Sequence, residues 1–183
     1  MSMKIHLLAW LDTETTALSP ADGDLLEIGC VITDMRGVEQ GTYTTVVKPN
    51  GLTIGEDNIE AIRLHLDNGL LRQALTVGDD HKPARIAREL DTFLGQWPCA
   101  TTILHPAGTN IGFDLAWLTT KLPDCERLQD LSHRCLDLTG FRLLSLARGE
   151  DPYGSAHATS HRVADCLERD LNEYRHVLAK GTL

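Results

Sequence analysis

Residues 8–34 read LAWLDTETTALSPADGDLLEIGCVITD, and this stretch decides the fold class. His6–Leu11 and Leu25–Thr33 are apolar runs that read as strands, joined by the turn-forming residues Ser19-Pro20-Ala21-Asp22-Gly23. A third strand, Gly41–Val47, ends at Pro49-Asn50-Gly51. Strands separated only by turns make the first strands antiparallel neighbours. The first strand runs into Asp12 and Glu14. Side chains two apart in a strand share a face, so the two carboxylates aim together. Held that way they repel unless a cation sits between them, and hard oxygen donors suit Mg2+ or Mn2+. A solvated strand end is the plainer reading of such a pair.

Beyond residue 80 the pattern alternates helix and strand. Ile86, Leu90, Phe93 and Trp97 form a helical stripe within Pro83–Trp97. Thr101–Leu104 is a short strand, Phe113–Leu122 a helix stopped at Pro123, Arg134–Leu138 a strand and Phe141–Ala147 a helix. Val163, Leu167, Leu171, Tyr174 and Leu178 mark a final helix. Residues 53–80 read only as short helices and loops. Strands first, then alternating helices, predict an α/β fold with a mixed sheet and helices packed on it.

Composition narrows the class. With 183 residues, 42% hydrophobic and 23% charged, the chain fits one globular domain, taken as 1–183. No apolar run is long enough for a membrane span, and the start lacks a secretory pattern. Five scattered cysteines without a Cys-x-x-Cys pair argue against a disulfide scaffold or a zinc ribbon, and a cytoplasmic setting is expected. A net charge of −9 disfavours a protein that coats long nucleic acid, yet allows an enzyme gripping a few nucleotides through bound metal ions.

Two further signals stand in order along the chain. Gly108-Thr109-Asn110-Ile111-Gly112-Phe113-Asp114 leads from a strand into a helix with Asp114 in its first turn, a placement the helix dipole alone would favour. His161-Arg162-Val163-Ala164-Asp165 opens the last helix; it reads as a general base beside an acid or as an ordinary surface pair.

Taken together, Asp-x-Glu on a strand, Asn-x-x-x-Asp opening a helix and a late His-x-x-x-Asp resemble the DEDD 3′→5′ exonuclease superfamily of the His type. Residues 8–34, Gly108–Leu118 (GTNIGFDLAWL) and Ser132–Leu144 (SHRCLDLTGFRLL) are most similar to oligoribonuclease. The resemblance spans roughly 6–178 and is weakest over 50–100. It implies a ribonuclease H-like fold with a mixed five-stranded sheet and flanking helices. It also implies hydrolysis of short or single-stranded RNA to nucleoside 5′-monophosphates with two divalent cations, Mg2+ or Mn2+. Asp12, Glu14, Asp114 and Asp165 would be the metal ligands, with Asp12 bridging, and His161 the base for water. Leu18 would wedge against bases, with Thr15 and Asn110 also at the substrate, and Asp137 would be structural. A homodimer is implied as well.

Two departures follow. In the family the last Asp falls five residues after the His; here that position is Cys166, and Asp165 comes four after His161. Chemistry favours Asp165 as the ligand, through a tightened first turn, whereas the Leu167–Leu171–Tyr174 register places Cys166 inward. Aromatic caps of the family are replaced by Glu60 and His133, which opens the site to longer strands. A DNA exonuclease of proofreading or repair type and a catalytically weakened nucleic-acid-binding relative stay open as alternatives.

Overall fold

The computed structural model describes residues 3–153 and 159–180. Five strands lie in the order β3-β2-β1-β4-β5. They are β1 (Ile5–Thr15), β2 (Leu25–Asp34), β3 (Glu39–Val46), β4 (Thr102–Gly108) and β5 (Leu136–Asp137). β1 pairs antiparallel with β2, and β2 with β3, as the turn signals predict; β4 and β5 are parallel additions on the other side of β1. The sheet is therefore mixed, with β1 at its centre.

β1 continues past Leu11 to Thr15, because its ladder to β2 runs on through Asp12↔Gly29 and Glu14↔Glu27. The acids thus sit on a rigid paired strand. β5 is shorter than expected: the Asp137 carboxylate accepts the Thr139 N–H, caps the next helix and turns the chain out of the sheet.

Among the described residues six α-helices pack around the sheet: α1 (Ile59–Asp67), α2 (Leu70–Thr76), α3 (Pro83–Leu94), α4 (Ile111–Lys121), α5 (Leu138–Ala147) and α6 (Val163–Lys180). α1 and α2 fill the stretch whose pattern did not resolve. Gly69, at φ 80, breaks them apart, and Leu70, Leu71 and Ala74 of α2 pack on Leu26 and Val46. The strand alternation divides the core. Leu7, Ala9 and Leu11 face α3 and α4 with Ile86, Leu90 and Trp117. Leu8 and Trp10 face the other side with Leu138 of α5 and Leu167, Leu171 and Tyr174 of α6. Asp12 and Glu14 continue the face of Trp10, so they emerge where the α6 layer begins.

Candidate active site

Gly29, paired to Asp12 across the ladder, lets α6 come close. A Cβ there would stand 2.5 Å from Leu167 Cδ1 and 3.1 Å from Val163 Cβ. Glu27, one face-step along β2, fixes the helix start. Its carboxylate accepts the Val163 N–H at 3.2 Å and the Arg162 guanidinium at 2.9 and 2.6 Å. Asn68 holds the preceding segment, donating its amide to the Ser160 and His161 carbonyls. The first turn of α6 is therefore clamped beside the β1 acids.

That clamp decides which residue meets them. Val163, Cys166, Leu167, Asp170, Leu171 and Tyr174 form the buried stripe of α6, while Ala164, Asp165 and Glu168 are exposed. The expected role of Asp165 as a ligand is corrected by this register. Its carboxylate points outward and accepts the Ser160 hydroxyl. Cys166 points inward, its thiol 3.8 Å from Glu14 Oε1. No tightened turn rescues Asp165, because rotating it inward would pull Leu167 and Leu171 out of the core. Asp12, Glu14 and Cys166 each offer a donor atom, all within 4.8 Å of one another. Asp12 Oδ2 is buried and has no hydrogen-bond partner among the described residues. A shielded carboxylate oxygen left unpaired is costly unless a cation takes it.

Asp114 is 4% exposed in the first turn of α4, where Thr13 Oγ1 donates to its Oδ1 at 2.7 Å. It stands outside the converging trio. Asn110 precedes α4 in a left-handed conformation (φ 55), its N–H donating to Asp137 Oδ1 and Thr139 Oγ1. Asp137 thus ties the start of α5 to the turn before α4. Gly108 ends β4 at φ 157, and a Cβ there would meet the Leu11 carbonyl at 2.8 Å. His161 is exposed at φ 54 before α6. Thr15 spends its hydroxyl on the Ala17 carbonyl. Leu18 is 89% exposed and lines a groove with Glu14, Glu60, Leu64, His65 and Phe113.

Sequence reasoning missed His65 and Glu27. His65 lies within residues 53–80, whose sequence pattern gives no clear element, and carries no local signal; Glu27 was visible as one charge inside the apolar run Leu25–Thr33. His65 is 1% exposed, its Nε2 3.1 Å from the Thr15 carbonyl and 3.6 Å from Glu14 Oε2. Burial lowers the pKa of His65, which disfavours its charged form beside Glu14. Asp170 was missed too; it lies behind the site, bonded by Thr109 Oγ1 and paired with Arg142 and Arg169.

The metal-free electrostatics are adverse. Burial, then the charges of Asp114, Glu14 and Asp170, hold the Asp12 carboxyl well above its usual range. Burial, with Glu27 next in effect, raises Glu14 to about 7. Burial also raises Asp114 to about 7, against the opposing Thr13 hydroxyl. Burial and then Asp12 push the Cys166 thiol up to about 12. Crowded acids that resist ionising are what a bound cation would relieve.

The fold is that of known nucleases. Exonuclease I from Methylocaldum szegediense superposes with a TM-score of 0.70 at 20% identity, covering 95% of this chain and 40% of that one. E. coli exonuclease I in complex with a dA16 oligonucleotide gives a TM-score of 0.69 at 15% identity, over 95% of this chain and 41% of that one. This chain thus spans about two fifths of the length of those proteins. The sheet order is that of the ribonuclease H-like fold these exonucleases share, with the acids on its central strand.

No family model matches the chain. The oligoribonuclease of Haemophilus ducreyi is 30% identical over 179 residues, 93% of this chain and 91% of that protein. That of Tropheryma whipplei is 27% identical over 182 residues, 96% and 95% of the two chains. The chain belongs to the oligoribonuclease family.

Proposed function

We propose that the protein is a 3′→5′ exonuclease that trims short single-stranded RNA to nucleoside 5′-monophosphates. The observation that carries this reading is the convergence of Asp12, Glu14 and the first turn of α6, with Glu14 also lining a groove beside Leu18 and Phe113. The names of the relatives and the oligonucleotide bound to the exonuclease I neighbour support the substrate class.

The donor set fits a divalent cation: two carboxylates and a thiol converge, and Asp12 Oδ2 lacks any other partner among the described residues. Asp12 and Glu14 would hold one ion, and Asp114 with Asp12 a second, the oxygen donors suiting Mg2+ or Mn2+. Bound ions supply Lewis-acid stabilisation of the charge developing on the scissile phosphate and the leaving 3′ oxygen. The chain's residues do the rest. An imidazole nitrogen of His161 takes the proton from the attacking water. Leu18 presents an apolar edge against a base, and the groove beside Thr15, ahead of Asn110, receives the terminal nucleotides. Glu60 and His133 are both exposed and neither offers a flat aromatic cap, so strands longer than a dinucleotide are accepted.

The same reading takes residues 1–183 as one exonuclease domain acting as a homodimer in the cytoplasm. Among the described residues no helix is long and apolar enough to cross a membrane. The test uses labelled RNA and DNA oligomers, from dinucleotides to long single strands, with Mg2+, Mn2+ or EDTA. Stepwise 3′ shortening of RNA that EDTA abolishes is the expected result. Preference for DNA would assign the repair-type alternative, and no shortening with any ion would leave a nucleic-acid-binding relative. Light scattering reads the oligomeric state.

A further inference from the structure

The third donor is sulfur, and this changes the ion the site takes. We propose that Cys166 is a direct metal ligand, and that Asp12, Glu14 and Cys166 form a mixed carboxylate–thiolate centre for a thiophilic divalent cation of the zinc, cobalt or cadmium kind. The binding half of this inference stands on geometry alone; only its consequence for hydrolysis rests on the exonuclease reading.

Three observations carry it. First, the three donor atoms lie within 4.8 Å of one another. The Cys166 thiol to Glu14 Oε1 distance is 3.8 Å. Donors shared by one tetrahedral ion, with bonds of about 2.3 Å to sulfur and about 2.1 Å to oxygen, stand roughly 3.6 Å apart. Second, Asp12 Oδ2 is buried without a partner among the described residues, which fits a cation-binding oxygen and not a satisfied core acid. Third, the sulfur cannot be exchanged for the nearby carboxylate. Leu167, next to Cys166, packs where a Cβ on Gly29 would be 2.5 Å away, and Glu27 pins Arg162 and the Val163 N–H. The helix is locked with Cys166 inward and Asp165 in solvent.

The chemistry then selects the ion. Mg2+ takes hard oxygen ligands at near-octahedral geometry, whereas thiolate favours softer ions higher in the affinity series. Binding exchanges the S–H bond of Cys166 for a sulfur–metal bond, and the thiol proton leaves to solvent. A family site made of oxygen donors becomes in this chain a site whose affinity order is shifted toward zinc and cobalt.

The experiment titrates the full-length metal-free protein with Co2+ and follows absorption, since cobalt bound to thiolate shows a sulfur-to-metal charge-transfer band in the near ultraviolet. The band is expected in the natural sequence and in Asp165→Asn, and is expected to vanish in Cys166→Ser and in Asp12→Asn. Competition with Cd2+ should show Cys166→Ser binding at least about tenfold more weakly, as loss of a direct ligand should cost no less than loss of a supporting one. Circular dichroism confirms that each variant folds. A band that survives Cys166→Ser would come from the exposed Cys99 or Cys135 and overturns the proposal, as does the absence of any band. Hydrolysis is read separately. Cys166→Asp should shift the preferred ion toward Mg2+. Hydrolysis with no thiolate band keeps the exonuclease and removes the thiolate centre; a band with no hydrolysis in any ion keeps the centre and removes the exonuclease.

Discussion

Two helix starts bring acids toward the same strand, and they do opposite things with them. α4 turns Asp114 inward, 4% exposed, onto the Thr13 hydroxyl. α6 turns Asp165 outward and presents Cys166. Both acids lie in the first turn of their helices. Proximity to a helix N-terminus therefore does not place a carboxylate in a site; the register of the apolar stripe does. In α4, Asp114 is in phase with Ile111, Trp117 and Leu118, all buried. In α6, Asp165 is one residue out of phase with Val163, Leu167, Leu171 and Tyr174.

The largest break of this comparison removes the group both helices face. Asp12→Ala should leave the fold intact and lower turnover by about 10³ or more, because no neighbour supplies a second carboxylate at that point of β1. Steady-state kinetics alongside circular dichroism measures it, and full activity would sink the metal-site reading. Next in size, His161→Ala acts only on the α6 side. The rate should fall about 10²- to 10⁴-fold while cobalt binding is retained. An unchanged rate would remove His161 from the chemistry.

The third test reads, by protonation, the strand acid beside the α6 start and the acid of the α4 start. Glu14 is raised from 4.5 to about 7, and Asp114 from 3.8 to about 7. The folded, metal-free protein therefore binds more protons than the unfolded chain between about pH 4 and 7. Stability is fully present below that window and is lost as pH rises through about 7, with Glu14 alone costing about 3 kcal/mol. Urea unfolding in EDTA at mildly acidic and mildly alkaline pH should show the acidic sample as the more stable. A divalent cation should reverse the order, since it favours the ionised carboxylates. Equal stability in EDTA would mean that these acids ionise freely.

The smallest effect sharpens the comparison most. Asp165→Asn should change the rate by no more than about twofold, as surface changes away from such features usually do little. The matching change on α4, Asp114→Asn, should cost at least about 10²-fold if that acid serves an ion. A collapse in Asp165→Asn would return Asp165 to the site.

Much of the fold was legible because its signals are local. The alternation of β1 and β2, the stripe of α3 and the turn residues between them are set within a few neighbours. The apolar period of α6 even gave the inward position of Cys166, though the preference of hard ions for oxygen favoured Asp165. Residues 53–80 were not legible. α1 and α2 are short, and α2 is fixed by packing of Leu70, Leu71 and Ala74 on Leu26 and Val46, partners far away in sequence.

The sequence by itself determined that Asp12 and Glu14 share one face of a strand, that Asp114 opens a helix and that three motifs fall in order, since strand and helix periods need no tertiary partner. Only the tertiary structure decided what meets those acids. Glu27 and Gly29 of β2 set the depth and rotation of α6, from positions 137 or more residues before Cys166 that no local pattern links to it. Burying Leu167 against Gly29 and Leu171 beside Trp10 outweighs any gain from turning Asp165 toward Asp12 and Glu14, because a helix moves as one rigid body. Turning one acid inward would expose a whole apolar stripe.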